Sequence, residues 1–179
     1  MHAFKYHRPS SVNDAAALAK GEARLLAGGQ TLVQAMKLRL SSPSDVIDLG
    51  SIRDLAGIRA SGSEVTIGAM SRHADVANSA DVKRSIPALA AVAGTIGDRQ
   101  VRAMGTIGGS LANNDPAADY PAAVLGLGAT IVTNKRKIAA DEFFKGLYET
   151  ALQAGEIITS VSFPVPKRAA YMKFKNQAS

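Results

Sequence analysis

Cysteine and tryptophan are both absent from this sequence of 179 residues. The lack of cysteine excludes disulfides, iron–sulfur clusters held by thiolates, a thiol nucleophile and any cofactor attached through sulfur. It agrees with a reducing compartment, so a cytoplasmic protein is the expectation. Aromatic residues make up only 5%, and the core must therefore be built from Ala, Val, Ile and Leu. Long apolar runs are missing too. The stretch at residues 88–93 is far too short to span a bilayer, and residues 1–9 are polar with no signal-like core. A soluble chain forming one domain, or one domain of two lobes, is expected at this length. The basic excess of +6 is scattered, and its nearest approach to a cluster, Lys135-Arg136-Lys137, suits a hairpin tip. Aromatics do not alternate with the basic residues as single-stranded nucleic acid requires, so no nucleic-acid role is expected.

What is present is a succession of strand and helix signals. Residues 4–6 read as a strand. Ser11 is placed to cap a helix reaching residue 20, where Gly21 stops it. Residues 24–27 read as a short buried strand, Thr31 as the cap of a helix over 32–38, and residues 45–49 as a third strand. The result is a βαβαβ-like lobe. A hairpin follows at 57–68 around Ser61-Gly62-Ser63, then helices at 71–78 and 86–93. Residues 100–114 are glycine-rich and read as a long loop. Asp115-Pro116 reads as the start of a helix ending near Gly126 and Gly128. Further strands are expected at 129–133, 138–139, 157–163 and 170–174. This order predicts a mixed α+β protein and not a regular βα alternation.

Two glycine pairs carry the chemistry. Leu26-Ala27-Gly28-Gly29-Gln30-Thr31-Leu32 and Thr106-Ile107-Gly108-Gly109-Ser110 each run from apolar residues into Gly-Gly and then to an amide or hydroxyl. Glycine allows positive φ and lets N–H groups approach a ligand with no Cβ in between. Successive N–H groups form an anion nest, and two nests can share one pyrophosphate. The alternative is a pair of tight turns. A Walker loop is absent. Gly126-Leu127-Gly128 begins a Rossmann-like string, but Ile131 holds its third glycine position. His2, His7 and His73 have no metal-ligand spacing, and His73 reads as a surface or interface residue. Asp115 and Asp119 lie four apart at the expected helix start. Asp115 suits a cap, and Asp119 suits an acceptor for ribose hydroxyls.

Ala27-Gly28-Gly29-Gln30-Thr31-Leu32, followed by Met36-Lys37-Leu38-Arg39-Leu40, resembles the first FAD motif of the medium subunits of the carbon monoxide dehydrogenase and xanthine dehydrogenase family of molybdenum hydroxylases. Residues 100–112, containing Gly105-Thr106-Ile107-Gly108-Gly109-Ser110-Leu111, resemble the second motif, and Asp115-Pro116-Ala117-Ala118-Asp119 continues it in register. Ile67-Gly68-Ala69-Met70 and Gly155-Glu156-Ile157-Ile158 also fit. The resemblance implies a two-lobed α+β FAD-binding domain of the vanillyl-alcohol-oxidase and p-cresol-methylhydroxylase type. Its lobes would be residues 1–55 and 56–179, and the family's smaller C-terminal domain would be missing.

The resemblance also implies a role and a site. The expected role is electron transfer through non-covalent FAD, from 2Fe-2S clusters on a small partner subunit to NAD, a quinone or another acceptor. The molybdenum cofactor and substrate oxidation would belong to a large partner subunit. Leu26, Ala27, Gly28, Gly29, Gln30, Thr31 and Leu32 would wrap the pyrophosphate with Thr106, Ile107, Gly108, Gly109 and Ser110. Asp119 would meet the cofactor's sugar. Ile96 and Ile158 would be apolar flavin contacts, and Lys175 a basic flavin-side residue, with Lys173 its near competitor. No catalytic residue and no metal ligand is expected on this chain. The rivals are a stand-alone FAD-dependent oxidase or reductase, which would need a base of its own, and a basic RNA-binding module.

Overall fold

A computed structural model describes residues 1–175. The first lobe is a parallel three-stranded sheet in the order β1-β3-β2, from β1 (Lys5–His7), β2 (Arg24–Leu26) and β3 (Asp45–Asp48). Helices α1 (Val12–Leu18) and α2 (Leu32–Lys37) connect the strands. The Ser11 hydroxyl accepts the Asp14 N–H at 3.1 Å, as an N-cap should. Thr31 does not cap: its backbone is already helical and its hydroxyl makes no capping bond. Strand β2 is half-exposed, not buried, because its edge faces the cleft described below. The core of this lobe is Ala15, Ile47, Leu49, Ile52 and Leu55, completed by Ile157 from the far end of the chain.

A five-stranded antiparallel sheet forms the second lobe in the order β4-β5-β10-β6-β7. It comprises β4 (Ile58–Ser61), β5 (Glu64–Gly68), β6 (Thr130–Thr133), β7 (Lys137–Ala139) and β10 (Ile158–Pro164). The last strand in sequence thus lies at the centre, paired with β5 and β6. The residues expected at a hairpin tip, Lys135 and Arg136, do lie in the β6–β7 turn. Helices α3 (His73–Asn78), α4 (Ala80–Ser85), α5 (Pro87–Thr95) and α8 (Asp119–Gly126) share one apolar core with this sheet, centred on Val65, Ile67, Leu89, Ile131, Val161 and Phe163.

Three expectations fail here. Residues 100–114 form no long loop but two helices, α6 (Arg99–Met104) and α7 (Ile107–Asn113). Side chains make these starts possible: Asp98 accepts from Val101 N at 2.8 Å and Thr106 from Gly109 N at 3.2 Å. The glycines that suggested a loop are packing glycines. A Cβ on Gly108 would lie 2.6 Å from the Ala69 Cβ and 2.8 Å from the Ala69 carbonyl oxygen. Asp115-Pro116 does not open a helix. Asp115 closes a turn by accepting from Ala117 N at 2.9 Å, and α8 starts at Asp119, so the two carboxylates do not share a helix face. Residues 170–174 form no strand, and Met172 and Phe174 project outward. The sequence also gave no signal for α9 (Ala140–Phe143) or for the small hairpin of β8 (Phe144–Gly146) and β9 (Glu149–Thr150).

The lobes meet at glycine. A Cβ on Gly28 would lie 2.1 Å from the Met104 carbonyl oxygen and 2.7 Å from the Gly105 Cα. Gly28→Ala must push two backbone segments apart, and a loss of about 1–3 kcal/mol is expected, as for overpacking. Gly126→Ala, where nothing lies within 4 Å, should be neutral or stabilising by up to about 1 kcal/mol through helix propensity. Thermal unfolding of the two variants checks this. Equal melting temperatures would show that the inter-lobe contact at Gly28 is soft.

Candidate cofactor-binding cleft

A cleft of about 710 Å³ lies between the lobes. The β2–α2 turn, residues 27–32, forms one wall. The start of α7, the end of β5 and the start of β10 form the others. Ala27, Gly28, Gly29, Gln30, Thr31, Leu32, Thr106, Gly108, Gly109, Ser110 and Ile158 all line it. Five expected site residues do not. Leu26 packs under the turn beside Gly29, and Ile107 is fully buried in the core of the second lobe. Ile96 packs against that same core. Asp119 is buried beneath the C-terminal stretch, where it accepts from the Tyr171 hydroxyl at 2.5 Å and from Lys173 Nζ at 2.8 Å. Lys175 is exposed at the end of the described residues.

The backbone donors divide unequally. In the second glycine segment every N–H from Ile107 to Ser110 is engaged within the protein. Ile107 donates to Ser71 O at 3.1 Å, Gly108 to Ala69 O at 2.8 Å, Gly109 to the Thr106 hydroxyl at 3.2 Å and Ser110 to Thr106 O at 3.0 Å. This segment is therefore not an anion nest, and the expected pair of nests is corrected to one. In the first segment, the N–H groups of Gly28, Gly29, Gln30 and Thr31 have no protein acceptor among the described residues. Gly29 sits at φ +72, and the Gln30 carboxamide donates to Gly28 O at 3.3 Å, holding the turn. The hydroxyls of Thr31 and Ser110 likewise have no partner among the described residues. Four uncommitted N–H groups and two hydroxyls around glycine backbone are the kind of donor set that can cradle a phosphate. A lysine or arginine is not needed for it, although Arg24 stands at the rim.

Two ionisable groups on the cleft wall were not singled out as site residues. His73 is buried, not a surface residue. Its ring fits because residue 105 is glycine: a Cβ there would lie 2.5 Å from His73 Nε2. Burial, with a smaller push from the Arg102 charge, lowers its pKa to about 4. The imidazole is therefore neutral at pH 7, and its Nδ1 and the neighbouring buried Tyr120 hydroxyl lack partners among the described residues. Glu156 is buried and ionised. The Arg136 guanidinium grips it at 2.9 and 3.1 Å, Gln153 N and the Thr133 hydroxyl each donate at 2.8 Å, and together they hold its carboxyl down at about 2. This ion pair fixes the turn that delivers Ile157 to the first lobe and Ile158 to the cleft. No group of three or more His, Asp or Glu suited to a metal occurs among the described residues.

Two lobes flanking a cleft lined by uncommitted backbone donors and aliphatic side chains have the form of a domain that takes a dinucleotide cofactor. Comparison with known proteins gives the particular kind. The family model for the FAD binding domain in molybdopterin dehydrogenase matches residues 2–166. The carbon monoxide dehydrogenase medium chain of Afipia carboxidovorans is 42% identical over 97% of this chain and 64% of its own length. The nicotine 6-hydroxylase medium subunit of Paenarthrobacter nicotinovorans is 40% identical over 90% of this chain and 59% of its own. Carbon monoxide dehydrogenase from Hydrogenophaga pseudoflava superimposes with a TM-score of 0.93 at 41% identity, over 97% of this chain and 64% of that one. The chain belongs to the family of FAD-binding domains of molybdopterin dehydrogenases. It spans about three fifths of the length of these relatives.

The two buried groups set the acid response. Unfolded His73 takes its proton near 6.5 and the folded residue only near 4. Between those values the unfolded chain binds more protons, so stability falls as pH drops through the window. At about 1.4 kcal/mol per unit the loss reaches roughly 3 kcal/mol. Glu156 adds a second loss between its ordinary 4.5 and about 2. Denaturant midpoints measured against pH should fall in both windows. His73→Leu should flatten the upper one alone and Glu156→Gln the lower one alone. A His73→Leu variant with the parent's slope between about pH 6.5 and 4 would assign the upper loss to other groups.

Proposed function

We propose that this chain holds FAD non-covalently in the inter-lobe cleft and forms the electron-transfer part of a molybdenum hydroxylase. Electrons would enter from 2Fe-2S clusters on a small partner subunit and leave to NAD, a quinone or another external acceptor. A large partner subunit would carry the molybdenum cofactor and oxidise the substrate. The observation that carries the FAD reading is the row of uncommitted N–H groups from Gly28 to Thr31, on residues that line a cleft of about 710 Å³. The relatives' names, as medium chains and subunits of dehydrogenases and hydroxylases, support the wider role. When bound, FAD supplies the redox chemistry, and the protein binds and orients it.

In this reading the first glycine turn donates backbone N–H bonds to the pyrophosphate. The Thr31 and Ser110 hydroxyls add one bond each from opposite walls. Gly109 keeps the second wall low, since a Cβ there would crowd the Thr106 hydroxyl at 3.0 Å and the Ala27 Cβ at 3.4 Å. Ile158 supplies an apolar contact, and the neutral His73 lines the cleft without adding charge.

Gly29→Val tests the cradle. It adds a branched side chain at φ +72, close to the Val33 side chain at 3.0 Å, and distorts the turn that aims the N–H groups. Losing even one hydrogen bond to a charged group, about 1.5–3 kcal/mol, lowers FAD affinity at least tenfold. The measurement is FAD titration of the apo-protein, with circular dichroism to confirm folding. Gly108→Val is the wrong probe, because its side chain would strike Ala69 and not the cleft. Acid precipitation should leave the flavin in the supernatant. A folded Gly29→Val variant with parental FAD affinity would overturn the cradle, and flavin retained in the pellet would overturn non-covalent binding.

A further inference from the structure

Tyr148 occupies the tip of the β8–β9 hairpin and lines the cleft, the one Phe or Tyr to do so among the described residues. Its backbone is in the left-handed region at φ +58, where a side chain is disfavoured and glycine would be at ease. Burial does not offset that cost, since Tyr148 is 62% exposed. The neighbouring structure enforces the conformation. Asn114, itself at φ +44, ends α7 and is buried. Its carboxamide donates at 2.8 Å to both Gly146 O and Glu149 O, the carbonyls on either side of the tip. Its own carbonyl accepts the Tyr148 N–H at 3.1 Å. Three hydrogen bonds therefore lock an exposed, strained tyrosine to the helix that also carries Ser110. Strain held in place by surrounding contacts, without return in core packing, marks a functional position.

We propose that Tyr148 is a ligand-binding residue whose ring covers one of the planar heterocycles of FAD, and that Asn114 is its positioning residue. The proposal rests on the reading that the cleft takes FAD. An aromatic face against a heterocycle is favourable stacking geometry, and with the backbone already fixed only two side-chain torsions remain to be ordered on binding.

The test uses Tyr148→Gly, Tyr148→Phe and Asn114→Ala, titrated with FAD, FMN and ADP. Tyr148→Gly relieves the strained φ, so its melting temperature should equal or exceed the parent's. Its FAD affinity should nonetheless fall about tenfold, equivalent to about 1.4 kcal/mol. Tyr148→Phe should stay within about twofold of the parent, because it keeps the ring face. Loss shared with FMN places the ring on the isoalloxazine, and loss shared with ADP places it on the adenine. Asn114→Ala should weaken FAD, and adding it to Tyr148→Gly should cost nothing more, as expected for a residue acting through the tyrosine. A folded Tyr148→Gly protein with parental FAD affinity overturns the proposal and leaves the FAD reading standing. A parent that binds no FAD overturns both.

Discussion

Gly28 lies against the Met104–Gly105 peptide so closely that a methyl group there would sit 2.1 Å from a carbonyl oxygen. Everything else in the cleft depends on this backbone-to-backbone approach. It sets the β2–α2 turn of the first lobe beside the start of α7 in the second, so that donors from both reach one volume. Gly105 serves the same junction by leaving room for the His73 ring, and Gly108 by seating α7 on Ala69. Close-packed interiors do not deform smoothly. A single Cβ at Gly28 therefore shifts whole segments, and the loss is felt as separation of the lobes.

The junction also explains why the two glycine motifs, so alike as text, do different work. The second needs its N–H groups to start α7 and to bind α7 to residues 69–71. The first lies where the chain turns from an edge strand into a short helix, in a turn with Gly29 at φ +72. The turn before that helix leaves the N–H groups of residues 28–31 without protein acceptors among the described residues, and so available to an anion. A cradle of neutral donors holds phosphate through direction and number, not through net charge. Scattered basic residues, with none in either glycine turn, agree with that economy.

Much of this was legible in the text. The parallel first lobe, the 57–68 hairpin and the later strands of the second sheet follow from apolar periodicity and punctuation by glycine and proline. The order of motifs pointed to a cofactor cleft, and both glycine segments line it. What could not be read was whether glycine meant a loop or a packing contact, since composition is the same for both. Residues 100–114 show this: Asp98 caps α6, which holds no glycine, and Thr106 caps α7 in spite of Gly108 and Gly109. The burial of His73 and Glu156 beside the cleft had no local signal, because their environments come from distant partners, Gly105 and Tyr120 for one, Arg136 and Thr133 for the other. Asn114 was equally hidden, since its partners lie more than thirty residues away.

Asp119 shows the limit most sharply. Its place in the resemblance suggested a sugar ligand, and in the structure its carboxylate receives Tyr171 and Lys173. A buried carboxylate must be satisfied by donors, and here the C-terminal stretch supplies them. The same bonds pin that stretch across α5 and α8, where Tyr171 packs against the core and Lys173 also reaches Thr95 O at 3.4 Å. Tyr171 responds in kind: burial, then the bond to the Asp119 carboxylate, raises its phenol to about 12. Asp119 thus fastens the residues that follow the central strand back onto the second lobe. Spacing singled out the carboxylate, but the donors that satisfy it lie more than fifty residues further along the chain, where no local pattern could place them.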